Sequence, residues 1–472
     1  MIRRNVLRLA LAGVLPGCSL TRSHTQVESS VDLPARWSTG GGLGLVDTCW
    51  WLGFGDTTLS ALVAEAMTAN LDIRLASARL DEARALATAQ RGAEWPSLDA
   101  GAGRVRSRAV SDVTLRPYFS IGSQIQMQAS YEVDLWGRVQ DLVRAGDATS
   151  AAAQAARDSV KLSVAATAAS AYISLRAVDA QQDLTRQTLA SRAKSLDITR
   201  SRQQRGYASA LETTQAEAEW RATAEILPAQ ALAASRQERA IDVLLARVPQ
   251  ETARGKPLMD IVAPPLPDAG VPSDLLRRRP DIASAEQQVA TADLQLAAAR
   301  AQMLPSVRLT GAIGEVESTV LKGDPFSIWN IGGSILAPIF RGGQLRALAH
   351  ASASRRDEAL IGYQRAVYTA FAEVETQLVA CRELTNQLDA TMARRDAVAE
   401  SLKLAKHRYE EGYASYLDQL LAERSLFTVD QTILSLHADI LSSEVSLYRA
   451  LGGGWSIAAL ALGSERRQGE AR

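Results

Sequence analysis

Aromatic residues are scarce in this chain, at 5% of 472 residues, and a core built on large rings is thereby excluded. The hydrophobic 47% is carried largely by alanine-rich stretches, a balance that predicts long helices packed through small side chains. Net charge is missing too, since 52 Lys+Arg offset 52 Asp+Glu. No basic field marks a nucleic-acid binder. Of the three cysteines, Cys18 falls in the N-terminal segment treated below. Cys49 and Cys381 make no disulfide framework and read as small buried hydrophobes. Beyond the N-terminus no uncharged run reaches the about 18 residues of a spanning helix, so any membrane crossing falls to β-strands.

Catalytic signatures are equally absent. None of the four histidines, His24, His350, His407 and His437, has a Cys or His neighbour at ligand spacing. The glycine cluster at 40–44 is followed by no Gly-Lys-Ser/Thr, and no Gly-x-Ser-x-Gly elbow occurs. No enzyme, metal or cofactor is expected. With six Met and four His, dedicated soft-metal transport is disfavoured as well.

What the chain has is repetition. Arg202-Gln203-Gln204-Arg205-Gly206-Tyr207-Ala208-Ser209 returns as Arg408-Tyr409-Glu410-Glu411-Gly412-Tyr413-Ala414-Ser415. Asn70-Leu71-Asp72-Ile73 pairs with Arg279-Pro280-Asp281-Ile282, and Trp95-Pro96-Ser97 with Leu304-Pro305-Ser306. A period above 200 residues is a tandem duplication, suited to a chain that gives a symmetric ring two pseudo-equivalent segments. The expected organisation is a first repeat at 56–255, a Pro-rich linker at 256–272, a second repeat at 273–452 and a tail at 453–472.

Each repeat contains a long proline-free stretch, Arg138 to Arg205 and Gly343 to Glu411. Within them Val160, Val164, Ala168, Ala171, Leu175 and Val178, and again Leu360, Tyr363, Val367, Phe371, Val374, Leu378, Cys381, Leu388 and Met392, recur mostly three or four apart. Helices there would span about 100 Å and need neighbours along their length, a coiled-coil arrangement. Arg202 and Arg408 suit the last turn, and Gly206 and Gly412 the left-handed stop. Ser209-Ala210-Leu211-Glu212 and Ser415-Tyr416-Leu417-Asp418 then open the next helix as capping boxes. The tips are thus αα-hairpins at about 205–210 and 411–416. Their acids either cap or form a carboxylate ring where subunits meet.

Strands are expected at about 97–136 and 305–340. Gln124, Gln126, Gln128, Ser130, Glu132 and Asp134 alternate with Ile125, Met127, Ala129, Tyr131, Val133 and Leu135, long enough for a transmembrane strand with one polar and one apolar face. Ser97 to Arg108, Pro305 to Ile313 and Phe326 to Phe340 are its counterparts. Four strands are too few to close a pore, so a barrel has to be shared among subunits. A soluble β-layer on a helical body is the competing reading.

The N-terminus reads as a signal peptide at 1–17, with Met1-Ile2-Arg3-Arg4 ahead of an apolar stretch. Leu15-Pro16-Gly17-Cys18 resembles a lipidation box that leads into an anchored segment at 18–55, although Arg8 and Pro16 depart from the pattern and leave an ordinary cleaved signal as the alternative.

Several segments together resemble the outer-membrane efflux channel proteins, the TolC/OprM/NodT-type outer membrane factors of tripartite pumps. They are Leu275-Leu276-Arg277-Arg278-Arg279-Pro280-Asp281-Ile282, Leu304-Pro305-Ser306, Trp50-Trp51-Leu52-Gly53-Phe54-Gly55-Asp56, Asp134-Leu135-Trp136-Gly137-Arg138 and Pro338-Ile339-Phe340-Arg341-Gly342-Gly343. The resemblance implies a mainly α protein and a homotrimer. Four strands per subunit make a shared twelve-stranded barrel, and helical hairpins continue it as a periplasmic α-barrel. It implies a lipoprotein, palmitate-bearing at Cys18, in the outer membrane of a Gram-negative bacterium. The implied partners are outer-membrane lipid, a periplasmic adaptor (membrane fusion) protein and an inner-membrane transporter of the RND type, in multidrug efflux. It places Tyr409, Leu417 and Arg424 at a periplasmic gate, with Asp418 as a ring acid, while Glu212 is the acid of the first-copy tip. Leu421 stands where many members carry aspartate, so ring charge rests on Asp418 or Glu423, or is diminished. A periplasmic coiled-coil adaptor or scaffold is the alternative, with an envelope enzyme as a third reading.

Overall fold

In a computed structural model of the chain, the described residues are 36–38, 47–113, 115–267, 269–270, 272–319 and 325–455. Cys18, the signal segment 1–17, His24, the glycine cluster and most of the tail lie outside them. Helices α1 (Thr57–Ala69) and α2 (Leu71–Arg91) lead into strands β1 (Ser97–Val110) and β2 (Pro117–Val133), then α3 (Arg138–Gln204) and α4 (Ala210–Leu244). The second half repeats the plan with a short α5 (Leu275–Arg278), α6 (Pro280–Ala301), β3 (Ser306–Ser318), β4 (Phe326–Leu336), α7 (Gln344–Glu410) and α8 (Tyr416–Ala450).

The duplication is close to metric. Both α3 and α7 have 67 residues, and both α4 and α8 have 35. Gly137 and Gly343 start the long helices at φ 77° and 81°, a left-handed backbone that a Cβ would strain. The repeats even share a node made by different residues. Asn70 caps α2 by accepting from the Asp72 and Ile73 amides, and its Nδ2 donates to the Leu244 carbonyl at 2.9 Å. Its counterpart Arg279 pairs with Asp281 and Glu373 and donates to the Ala450 carbonyl at 2.9 Å. Each thereby satisfies a terminal carbonyl of the last helix of its repeat, a group left without an intrahelical partner.

The first-half stripe packs as expected, with Val164, Ala168, Ala171 and Leu175 buried. Trp50 stacks on Tyr448 with centroids 5.5 Å apart. Tyr172, fully buried, donates to Asp56, whose carboxylate also accepts from the Lys256 amide and caps α1. The α7 stripe is shorter than its periodicity. Tyr363, Val367, Val374, Leu378 and Cys381 are buried, but Met392 is 51% exposed. Cys49 overturns its reading as a buried residue: it is exposed, because the 3-10 turn Trp50–Phe54 turns Trp50 into the core and leaves Cys49 at its outer end.

The strands form one antiparallel sheet in the order β1-β2-β3-β4. Here β2 begins at Pro117 and ends at Val133, short of Leu135, because Asp134 turns away to accept from the Gln140 amide at the start of α3. β4 stops at Leu336, ahead of Phe340, since Pro338 has no N–H for a ladder. A Cβ on Gly314 would lie 2.3 Å from the Ile125 carbonyl oxygen, so β3 approaches β2 there more closely than a side chain permits. Among the described residues, no helix is long and apolar enough to cross a membrane.

Candidate gate at the helical tips

At the ends of α3 and α7 the chain closes each helix with the same two bonds. Tyr207 N donates to the Arg202 carbonyl at 2.8 Å and Gly206 N to Gln203 at 2.9 Å; Tyr413 N donates to Arg408 at 2.8 Å and Gly412 N to Tyr409 at 3.1 Å. These are Schellman closures, with Gly206 and Gly412 at φ 79° and 81°. The restarts differ. Ser415 and Asp418 form a reciprocal capping box, whereas the Ser209 hydroxyl takes the Glu212 amide at 3.2 Å without backbone reciprocation.

The Glu212 carboxylate accepts from two side-chain hydroxyls instead, the first being that of Ser209, 3.3 Å from Oε1. Its Oε2 accepts from the Tyr409 hydroxyl at 3.0 Å, joining the start of α4 to the end of α7. The Arg202 guanidinium lies 5.5 Å over the Tyr409 ring, and the Tyr416 ring is also 5.5 Å away, tilted. Tyr416 is buried with Leu196, Ala216 and Leu420. Burial, with Glu423, Tyr409 and Glu219 nearby, pushes its hydroxyl up to about 12. Tyr409 is raised as well, by burial first and then by Glu212. Both remain neutral donors at physiological pH.

About two turns deeper, Glu219 is clasped from two sides. Arg192 on α3 pairs with it at 2.9 Å, both side chains being 8% exposed. Arg424 on α8 donates to the same carboxylate through Nε at 2.7 Å. Arg192 also lies 5.6 Å over the Phe427 ring. Three helices are locked by one acid. Leu417 and Leu421 are 45% and 50% exposed, Asp418 is occupied by its cap, and Glu423 accepts from Gln419 at 2.8 Å. Sequence reading picked out Glu212, Tyr409 and Arg424 but missed Glu219, Arg192 and Tyr416, and took Arg202 only as a last-turn charge. Charges at apolar positions of the α3 and α4 stripes are the signal that could have found the first two. Among the described residues no His/Cys/Asp/Glu group could hold a metal ion.

Comparison with known proteins places the whole architecture. A family model described as "Outer membrane efflux protein" matches residues 62–247 and 271–453. The toluene efflux pump outer membrane protein TtgF of Pseudomonas putida is 33% identical, over 96% of this chain and 98% of that protein. A membrane protein from Pseudomonas aeruginosa superposes with TM-score 0.81 at 30% identity, covering 90% of this chain and 98% of that one. The MtrE channel of Neisseria gonorrhoeae, in its open state, gives 0.78 at 28%, covering 90% and 96%.

Proposed function

This chain belongs to the outer membrane efflux protein family and is the outer-membrane channel component of an efflux pump, not an enzyme; we propose how its parts perform that task. Three copies assemble, each lending its four strands to one barrel of twelve. The observation that carries this reading is the sheet itself, whose outer strands β1 and β4 each have one edge without a partner strand among the described residues. In hydrocarbon every backbone polar group must be paired, and four strands cannot close on themselves. The long helices, about 100 Å each at 1.5 Å per residue, continue the barrel as a tunnel across the periplasm.

The repeats at 56–255 and 273–452, joined by the linker at 256–272, supply two similar helical hairpins per copy, so that three copies place six around one axis. The Tyr409–Glu212 bond and the Glu219 clasp hold those hairpins together in a closed state. A periplasmic adaptor docking between hairpins would part them, and an RND-type inner-membrane transporter would supply the energy. The channel itself conducts passively. Its wet face, bearing Gln124, Gln126 and Gln128, selects weakly, so cargo choice lies upstream and a small apolar solute such as TtgF's toluene is one compatible cargo. Cys18 carries the lipid anchor.

Light scattering and single-particle imaging of the detergent-extracted protein test this reading. A hollow trimer longer than about 100 Å supports it. A monomer or solid rod soluble without detergent overturns it.

A further inference from the structure

The sheet register sorts side chains onto two faces. One carries Gln124, Gln126 and Gln128; the other carries Ile125, Met127, Ile313 and Trp329, each of them strongly exposed in the single chain. At the hairpin end remote from the helices this apolar face changes character. On β1, Arg104, Arg106 and Arg108 continue the parity of Leu98, Ala100 and Ala102, opposite Ser123, Ile121 and Phe119 of β2.

Arginine on a lipid-facing position is heavily penalised near the bilayer midplane and nearly tolerated at its boundary. From Val133 to Ser123 the strand runs about 33 Å, or about 25 Å along the membrane normal at a tilt of about 40°. That is the height of an apolar band, so Arg104 falls at its upper rim and Arg106 and Arg108 beyond it. Arg106 and Arg108 each lie 5.5 Å over the Phe119 ring, which orients their forks. Among the described residues none of the three forms an ion pair. The acids of this face, Glu315 and Glu317, stand on β3 opposite Ile125 and Ser123, with β2 between them and the arginines.

We propose that Arg104, Arg106 and Arg108 bind the phosphate groups of an outer-leaflet lipid, a phosphorylated glycolipid whose acyl chains lie against the apolar band below. The planar fork of arginine matches phosphate oxygens in pairs. Alternate residues put three forks along a column of about 13 Å, room for more than one phosphate. Continuity of the column with the apolar band favours a lipid over a free anion, since one ligand must satisfy both. The inference rests on the outer-membrane placement of the sheet.

The test is native mass spectrometry of the full-length protein, reconstituted in phosphatidylcholine nanodiscs and then released. It is titrated with diphosphoryl lipid A, with the same lipid dephosphorylated, and with inorganic phosphate as competitor. The phosphorylated lipid should be retained at least about tenfold more tightly than its dephosphorylated form. The triple variant Arg104→Gln, Arg106→Gln, Arg108→Gln should erase that preference, the corresponding triple Lys variant should keep most of it, and Asp99→Asn on the opposite face should leave it unchanged. Equal retention of the two lipids by the parent protein overturns the proposal, and this comparison decides even where the Gln variant fails to assemble. Millimolar phosphate displacing the lipid would reduce the column to a simple anion site and also overturn it. A protein that does not enter the nanodisc refutes the membrane placement itself; one that enters without phosphate preference refutes only the arginine site.

Discussion

The Tyr409 hydroxyl donates to the Glu212 carboxylate at 3.0 Å, and this one bond ties the tip of the second helical hairpin to that of the first. Tyr409→Phe keeps the ring packed against Tyr416 and removes only the donor. It should cost about 1 kcal/mol in each copy, a typical net hydrogen-bond contribution, and raise single-channel conductance or open time in planar bilayers. Currents indistinguishable from the parent's would remove this bond from the gate.

Glu219 faces Arg192 in a buried pair and Arg424 at a more exposed one, with the Arg424 side chain 52% exposed. Removing the acid strands a buried guanidinium. Glu219→Ala should therefore destabilise the protein by about 3 kcal/mol or more, whereas Arg424→Ala should cost about 1 kcal/mol or less. Denaturant midpoints of the two variants measure the difference, and equal losses would contradict the clasp.

The buried carboxyl of Glu444 has an oxygen with no partner among the described residues, and burial raises its pKa to about 7. Because the folded value lies above the unfolded one, this acid's contribution is fully present below about pH 4.5 and is lost as pH rises through about 7, a change of about 3 kcal/mol. The stability difference between the parent and Glu444→Gln, followed from pH 4.5 to 8, should trace that loss. A difference that stays constant with pH rules the titration out.

Asp418 accepts from both the amide and the hydroxyl of Ser415. Asp418→Ala should lower stability by about 1 kcal/mol through the lost cap. If the acids of neighbouring copies also line the aperture, cation selectivity measured by reversal potential should fall in the same variant; an unchanged reversal potential leaves the cap as its whole role.

If Cys18 is the anchor, Cys18→Ala should abolish incorporation of labelled palmitate while the protein still reaches the outer membrane. Persistent labelling would assign the lipid to another site.

Period and punctuation carried most of the fold into the sequence. Gly206 and Gly412 announce their turns because few other residues take the left-handed backbone, and proline-free runs bounded by glycine give the 67-residue helices nearly to the residue. The strand ends were blurred by side chains that serve the next element, as Asp134 serves α3. Cys49 misled because a cysteine outside any disulfide framework reads as a small buried hydrophobe, and only the 3-10 turn sets Trp50 inside and Cys49 outside. Charges on the apolar stripes mark Glu219 and Arg192 as unusual, but their pairing and the third partner do not show in the sequence, because the two arginines lie 27 and 205 positions from Glu219 in the chain. Conversely, Asn70 and Arg279 aligned as repeats without disclosing that an amide and a guanidinium perform the same task on Leu244 and Ala450.

The open edges of β1 and β4 also bear on inheritance. A copy whose free β4 edge is broken, for instance by proline at a position whose N–H points away from β3, could still offer an intact β1 edge to a neighbour. In the proposed ring of three it would be incorporated and then leave the circle unclosed. If damaged and normal copies were made equally and mixed at random, only about one ring in eight would contain normal chains alone, by the closed symmetry of the assembly. A loss-of-function allele of this kind would therefore behave as dominant.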